Sequence, residues 1–177
     1  MTKAVLLDTS VLIHDPTSMT SFEDDTEVLI PIYVIMELDV LKDTPKREKS
    51  HVAHLARQAS NLILKLQTED KVKVVSHEGG LSISSLDRAD QIRYVDLLIL
   101  QTAIYLKDEY DLTLVSRDIN LRIICESVGV NSSDYTSDTS LDTLSGIGLK
   151  GFVPDVMFMN QLVGSYWQGA VRLPHEF

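Results

Sequence analysis

The sequence is poor in the features that mark secreted and membrane proteins. Only one of its 177 residues, Cys125, is a cysteine, so an internal disulfide is excluded, and a lone thiol is typical of the reducing cytosol. Asp8 interrupts the apolar start of the chain, and no other apolar run approaches the length of a membrane span. We therefore expect a soluble cytoplasmic protein with neither a signal peptide nor a transmembrane helix.

Basic residues are also scarce, since 16 Lys and Arg stand against 26 Asp and Glu and give a net charge of −10. A simple basic clamp for nucleic acid is excluded, because such a clamp derives its affinity from Lys and Arg that neutralise phosphates. The excess of acid leaves two interpretations. The acids either keep the protein soluble, or some of them form a cation site that attracts phosphate.

The remaining composition, 44% hydrophobic and 24% charged, is that of a globular domain. Short apolar runs alternate with helical spacings from residue 4 to about residue 130. This alternation predicts an α/β fold, in which a parallel twisted sheet of four to five strands carries helices on both faces. The predicted strands are 4–7, 28–30, 72–75 and 112–115; the predicted helices are 16–22, 33–41, 52–66, 89–107 and 119–128, the last closed by Gly129; loops are predicted at 43–50 and 77–88.

Two acids follow predicted strands. Asp8 closes the first strand and Asp118 comes just after the fourth. Ligands of open parallel sheets bind at the carboxyl ends of the strands, so these two carboxylates are expected to converge there. The alternative is that each one caps the helix that follows it.

Two further acids lie among apolar residues at helical spacing. The neighbours of Glu37 and of Asp96 three and four positions away are almost all apolar, which predicts carboxylates that face the core. Such a group is costly unless it is paired or binds a metal ion. The paired alternative would use Lys42 for Glu37 and Arg93 for Asp96.

The donor types favour a hard cation. Carboxylate oxygens suit Mg²⁺ or Mn²⁺, whereas the sequence has no CxxC pair and no HExxH motif for zinc. The five histidines show no convincing ligand spacing.

Four segments resemble the four motifs of PIN-domain nucleases in type, order and spacing: LLDTSVLI (6–13), IPIYVIMELD (30–39), VDLLILQTA (95–103) and LVSRDINLR (114–122). The chain is most similar to the N-terminal PIN domain of PIN–PhoH-type ATPase proteins, since it also has HDP at 14–16 and DY at 134–135. The resemblance implies a nuclease domain at 1–136. It makes 137–177 an extension or a linker toward a PhoH-type ATPase domain, although the chain itself has no GxxxxGK[ST] phosphate loop.

The resemblance also implies a function and a site. The four motif acids would bind Mg²⁺ or Mn²⁺ and hydrolyse phosphodiesters of single-stranded RNA, with Ser116 in support and with Ser10 and Asn120 orienting carboxylates. An Asn at position 120, rather than an Asp, is neutral and leaves binding of a second cation open. Self-association is common in the family. The implied catalytic and metal-binding acids are Asp8, Glu37, Asp96 and Asp118, and the candidate RNA contacts are Arg93, Arg117 and Arg122.

Three alternatives compete with a ribonuclease. A phosphatase of the haloacid-dehalogenase type needs a second Asp two residues after the first, where Ser10 stands. A phospho-receiver domain needs paired acids near its start and a lysine late in the sheet, and neither is clear. The most serious alternative is a non-catalytic PIN module that binds RNA or a protein, although the presence of all four acids favours the enzyme.

Overall fold

The computed structural model describes residues 1–43, 50–76 and 94–136. The predicted loop at 77–88, the start of the helix predicted at 89–107 and the extension at 137–177 lie outside these residues. The strands are β1 (Thr2–Leu7), β2 (Glu27–Pro31), β3 (Val72–Val75), β4 (Tyr110–Val115) and β5 (Asn131–Ser133). The helices are α1 (Thr9–His14), α2 (Ile32–Lys42), α3 (Ser50–Thr68), α4 (Val95–Leu106) and α5 (Ile119–Ser127), with a short 3-10 helix at Ser18–Thr20.

The five strands form one parallel sheet in the order β3-β2-β1-β4-β5. The expected α/β class with a parallel sheet is therefore confirmed. The chain moves outward from β1 to β2 and β3, and then crosses to the other side of β1 to form β4. The strand order thus reverses between β1 and β4, and open α/β sheets bind their ligands at the carboxyl ends of the strands at such a point.

The central strand explains why its sequence is a continuous apolar run. Ala4 to Leu7 are at most 2% exposed, because helices and neighbouring strands cover both faces of β1. Burial of each Leu side chain in this run contributes about 1.5–3 kcal/mol to folding. On α3 the buried residues recur at three- and four-residue intervals, as expected for a helix with one face on the core: Ala53, Ala56, Ala59, Ile63 and Leu66.

Two local predictions differ from the structure. The helix predicted at 16–22 is only the 3-10 helix at Ser18–Thr20, because Asp15 Oδ1 accepts hydrogen bonds from the backbone N–H and the hydroxyl of Thr17 and turns the chain there. The helix α1 was not predicted at all. Its sequence, TSVLIH, is rich in β-branched residues that favour strands and follows an apolar strand directly, so only tertiary packing separates the two.

The C-terminal end of α5 is closed as predicted. Gly129 has a φ of 70°, its N–H donates to Glu126 O (3.2 Å), and Val130 N–H donates to Cys125 O (3.0 Å). These two bonds form a Schellman motif, which needs the left-handed backbone that glycine adopts without steric cost.

No helix within the described ranges is both long enough and apolar enough to cross a membrane.

Candidate active site

The two acids that follow strands lie side by side at one edge of the sheet. Leu7 at the end of β1 pairs with Val115 at the end of β4, and the Asp8 N–H continues this ladder by donating to Val115 O (3.1 Å). Asp8 therefore leaves the sheet where the strand order reverses, and Asp118 follows three residues after Val115 on the neighbouring strand.

Two hydroxyls fix the carboxylate of Asp8. Ser10 Oγ and Ser116 Oγ both donate to Asp8 Oδ2, at 2.6 and 2.7 Å, and Asp8 itself is 4% exposed. Asp8 occupies the N-cap position of α1, but from that helix its side chain accepts the Ser10 hydroxyl and no backbone N–H, so the capping interpretation of Asp8 is wrong. Because both hydroxyls bind Oδ2, Oδ1 is left for another partner.

The same hydroxyls hold the loop between β4 and α5. Ser10 Oγ accepts the Arg117 N–H (3.0 Å), and Ser116 Oγ accepts the Asp118 N–H (2.9 Å). Ser116 is fully buried. Each serine thus donates to Asp8 and accepts from the loop that carries Asp118, which joins two acids 110 positions apart in the sequence.

Asp118 caps the helix that follows it and also lies at the carboxyl end of the sheet. Its Oδ1 accepts the Asn120 N–H (2.8 Å), so it does cap α5. The cap uses one oxygen, and the half-buried residue keeps its position at the edge beside Asp8. Asn120 contacts this carboxylate through its backbone N–H, and its exposed side chain has no described contact with the acids.

Glu37 is half-buried on α2, the helix that follows β2. Burial raises the pKa of its carboxyl, the charges of Asp8 and Asp96 raise it further, and the Thr9 hydroxyl partly opposes the shift. Lys42, the alternative partner, instead pairs with Asp39 (3.9 Å).

Asp96 lies in the first turn of α4 and is exposed, which corrects the expectation that it faces the core. The helix begins at Val95, so the apolar residues three and four positions from Asp96 within this helix, Ile99 and Leu100, both lie on its C-terminal side. Desolvation of the carboxyl nevertheless raises its pKa, and the charges of Asp8 and Asp118 raise it further. Its alternative partner, Arg93, lies outside the described residues.

The charges of neighbouring acids are among the causes of the raised pKa values of Glu37 and Asp96. The charge of Asp8 acts on both Glu37 and Asp96, Asp96 acts on Glu37, and Asp118 acts on Asp96. Within residues 1–43, 50–76 and 94–136, none of the four forms an ion pair with a Lys or Arg. The sheet edge therefore carries concentrated negative charge that the described part of the protein does not compensate.

The donor chemistry fits a divalent cation, because Mg²⁺ and Mn²⁺ prefer carboxylate oxygens and no Lys or Arg of the described residues pairs with the four acids. In their described positions, however, no three His, Cys, Asp or Glu side chains lie close enough together to hold a metal ion. Four mutually repelling carboxylates without a counter-charge are expected to stay apart.

The candidate RNA contacts differ in availability. Arg117 is exposed beside Asp118. Arg122 is half-buried, its guanidinium pairs with Asp134 (3.5 Å), and its Nε is buried without a hydrogen-bond partner among the described residues. Arg93 lies outside them. Of the two described guanidinium groups, that of Arg117 is thus the more open to a phosphate.

Sequence reasoning missed Thr9. It follows Asp8 directly, is 5% exposed, and its Oγ1 has no hydrogen-bond partner among the described residues. Its only signal in the sequence is its place beside Asp8, and a Thr at a helix start ordinarily reads as part of a cap.

Sequence reasoning also missed the contacts of Tyr135 with His14 and Asp15. Tyr135 follows β5, and its hydroxyl donates to Asp15 Oδ2 (2.7 Å), while its ring meets the edge of the His14 ring (centroids 6.4 Å apart). The residue pairs His14-Asp15 and Asp134-Tyr135 contributed to the family resemblance, but their spacing in the sequence did not reveal that they touch.

The comparisons with known proteins agree with the geometry. The PIN-domain family matches residues 5–136. The chain is 31% identical over 159 residues to Protein PhoH2 of Bacillus subtilis (strain 168), covering 80% of this chain and 35% of that protein. It is 32% identical over 146 residues to Protein PhoH2 of Mycolicibacterium smegmatis, covering 75% and 32%. The chain thus spans about a third of the length of these relatives.

Among solved structures, a domain of a functionally unknown protein from Methanocaldococcus jannaschii superposes with a TM-score of 0.54 at 17% identity, covering 86% of this chain and 99% of that one. At this identity the match concerns the fold alone. The family match, by contrast, includes both strand ends and all four acids, and PIN domains are generally nucleases. The chain belongs to the PIN-domain family and is related to the PhoH2 proteins.

Proposed function

We propose that this domain is a metal-dependent ribonuclease that hydrolyses phosphodiester bonds of single-stranded RNA with Mg²⁺ or Mn²⁺. The proposal is carried by one observation: at the edge where β1 and β4 end, the charges of Asp8 and Asp118 act on the carboxyl groups of Glu37 and Asp96, which come from other parts of the chain. Membership of a family of nucleases supports it.

Each acid has a proposed role. Asp8 is the central ligand, since two hydroxyls hold its Oδ2 and leave Oδ1 for a cation. Asp96 and Asp118 complete the ligand set, and Glu37 binds the cation or holds the attacking water. Ser116 and Ser10 orient Asp8 and the loop that carries Asp118.

A bound divalent cation would supply a water of lowered pKa and would neutralise charge on the phosphate. The protein's own residues supply position. Rotation of the Glu37 and Asp96 side chains toward Asp8 would complete the ligand set once a counter-charge is present, because the repulsion that separates them is then removed. Arg117 is placed to contact a neighbouring phosphate.

The context proposed for the domain follows its relatives. Residues 137–177 are proposed to be a connection toward a PhoH-type ATPase domain, because the PhoH2 relatives are about three times as long as the region they share with this chain. We also propose that the domain works in the cytoplasm and associates with copies of itself.

The test is cleavage of labelled single-stranded RNA and DNA of one sequence, titrated with Mg²⁺ and Mn²⁺ and repeated with a chelator. We expect metal-dependent cleavage of the RNA by the wild type and none by Asp8→Asn. The Asn side chain keeps an oxygen for Ser10 and Ser116, so the fold should persist by circular dichroism. Loss of rate in Asp8→Asn should exceed about 100-fold, since it removes the charge of the central ligand.

The matched control is Asp111→Asn, an exposed acid near the amino end of β4 and hence at the opposite edge of the sheet. It should cleave like the wild type. RNA binding without cleavage at any metal concentration would instead identify a non-catalytic PIN module. Metal-dependent cleavage by Asp8→Asn would remove Asp8 from the site.

A further inference from the structure

Thr9 carries a buried hydroxyl that no hydrogen bond accounts for. The residue is 5% exposed, and its Oγ1 has no partner among the described residues. Buried polar groups in folded proteins are almost always hydrogen-bonded, and an exception calls for an explanation.

The ordinary explanation for a buried threonine in a helix does not apply here. A threonine inside a helix returns its hydroxyl to a carbonyl three or four residues earlier, as Thr102 does on α4 by donating to Leu98 O (2.8 Å). Thr9 is the first residue of α1, so the residues three and four positions before it belong to β1. No earlier helical turn offers its hydroxyl a carbonyl.

The group beside this hydroxyl is Glu37. The Thr9 side chain lies close enough to the Glu37 carboxyl to lower its pKa against the larger effect of burial, although the two do not meet in the geometry of a formed hydrogen bond. A hydroxyl donates and an ionised carboxylate only accepts, so the two groups are complementary. Glu37 has no other described hydrogen-bond or ion-pair partner, and Thr9 adjoins Asp8 in the sequence.

We propose that Thr9 is a positioning residue for the cation site: its hydroxyl donates to Glu37 and holds that carboxylate toward Asp8 when a divalent cation binds. The inference rests on the metal-dependent nuclease proposed above. Thr9 does not touch the cation or the substrate, and it acts only through Glu37. Neither the Thr9 hydroxyl nor the Glu37 carboxyl has a hydrogen-bond partner among the described residues, and in the proposed cation-bound site each becomes the partner of the other.

The test compares Thr9→Val, which keeps the shape and removes the hydroxyl, with Thr9→Ser, which restores the hydroxyl. Mn²⁺ affinity is measured by isothermal titration calorimetry, and kcat and KM are measured on single-stranded RNA. We expect Thr9→Val to weaken Mn²⁺ binding about 10- to 100-fold, as loss of a residue that orients a ligand typically does. The value of kcat should fall with little change in KM, and Thr9→Ser should recover both quantities.

Thr102→Val is the matched control, because Thr102 is also fully buried and lies on α4 with its hydroxyl satisfied within the helix. It should bind Mn²⁺ as the wild type does. A double-mutant cycle separates positioning from general packing: in the Glu37→Ala background, which leaves no side-chain oxygen for the Thr9 hydroxyl, Thr9→Val should produce no further loss of Mn²⁺ affinity.

The outcomes separate the two proposals. If the wild type binds no Mn²⁺ and cleaves no RNA, the proposed function fails. If the wild type is active and Thr9→Val matches it, or if Thr9→Ser is as impaired as Thr9→Val, the role of the hydroxyl is overturned. An additive loss in the Glu37→Ala background overturns it as well, and this comparison needs only variants that remain folded by circular dichroism.

Discussion

At the scale of single residues, the acids of the site differ in how the protein supports their charge. Asp8 receives two hydroxyl hydrogen bonds, and Asp118 receives a backbone N–H. Glu37 receives no formed hydrogen bond from the described residues, and burial together with the neighbouring charges raises its pKa. Glu37, like Asp96, is therefore an acid whose ionisation opposes folding when no cation is present.

The pH dependence of stability should show this opposition. The pKa of Glu37 in the folded protein lies above its ordinary value of 4.5, so folding favours the protonated form. That contribution is fully present below pH 4.5 and is lost as pH rises through the raised pKa. In chelator, we expect the unfolding free energy of the wild type to fall relative to that of Glu37→Gln as pH rises from about 4 to 7.

Urea denaturation at each pH measures the difference. Asp39→Asn is the control, since Asp39 lies two residues further along the same helix and is exposed. Its stability should stay parallel to that of the wild type across the range. Parallel curves for Glu37→Gln and the wild type would mean that the carboxyl of Glu37 titrates alike in the folded and unfolded chains.

Single residues also show how much of the candidate site could be predicted from the sequence. Asp8 and Asp118 were identified by their place after apolar runs, because parallel strands put their carboxyl ends at one edge. Asp96 was expected to face the core and is exposed, since periodicity does not locate the residue at which a helix starts. Thr9 and Glu37 lie on different helices, α1 and α2, and the sequence alone does not show that they are near each other.

The single cysteine is a buried residue of the core. Cys125 is fully buried on α5, and burial raises its pKa to about 12, with the charges of Glu126 and Asp8 acting in the same direction. It stays protonated near neutral pH, which is the behaviour of a small apolar core residue rather than of a reactive nucleophile.

At the scale of elements, the long apolar runs were predictable and the short polar strand was not. The buried residues of β1 and β2 form continuous apolar runs, and the buried residues of β4 are apolar as well: Leu112, Leu114 and Val115. β5 has the sequence NSS, which carries no strand propensity. It pairs with β4, and the Ser116 N–H continues the ladder by donating to Ser133 O (3.0 Å), so tertiary contacts form it.

The end of α5 offers a test of one element. Gly129 adopts a φ of 70°, where a Cβ atom is unfavourable. We expect Gly129→Ala to lower the unfolding free energy by about 1–2 kcal/mol, and Gly129→Asn to lower it by less because Asn tolerates this region better. Thermal or urea denaturation monitored by circular dichroism measures both variants.

An exposed residue in the last turn of α5 supplies the comparison. Ser127→Ala changes the last helical residue and should alter stability far less, since its hydroxyl only returns to Ile124 O at the surface. Equal stabilities of Gly129→Ala and the wild type would show that the chain can end this helix without the left-handed residue.

At the scale of the whole molecule, fold and site follow from the same topology. The strand order reverses between β1 and β4, and Asp8 and Asp118 lie at the carboxyl ends of these two strands. The net charge of −10 deepens the negative potential there. The molecule as a whole is thus better suited to take up a cation than to bind a polyanion directly.

Cation binding should therefore stabilise the entire domain. A ligand that binds only the folded state at 100 times its Kd adds about 2.7 kcal/mol. For a chain of this size we expect Mn²⁺ to raise the melting temperature by about 5–10 °C. Asp8→Asn should melt at or above the temperature of the metal-free wild type, because it removes repulsion, and should respond little to Mn²⁺.

Differential scanning fluorimetry can follow these shifts, with potassium chloride at matched ionic strength as the control for screening. Asp111→Asn should respond to Mn²⁺ as the wild type does. An equal shift with potassium chloride would assign the effect to relief of general charge repulsion and not to a specific site.

The serine contacts between β1 and the loop after β4 have a mechanical consequence. Ser116 lies on the chain just beyond β4, yet its oxygen both holds Asp8 and anchors the amide of Asp118. Separating the two central strands at this edge would disperse the acids at the same moment. The positions of Asp8 and of the loop that carries Asp118 are therefore coupled to the pairing of β1 with β4.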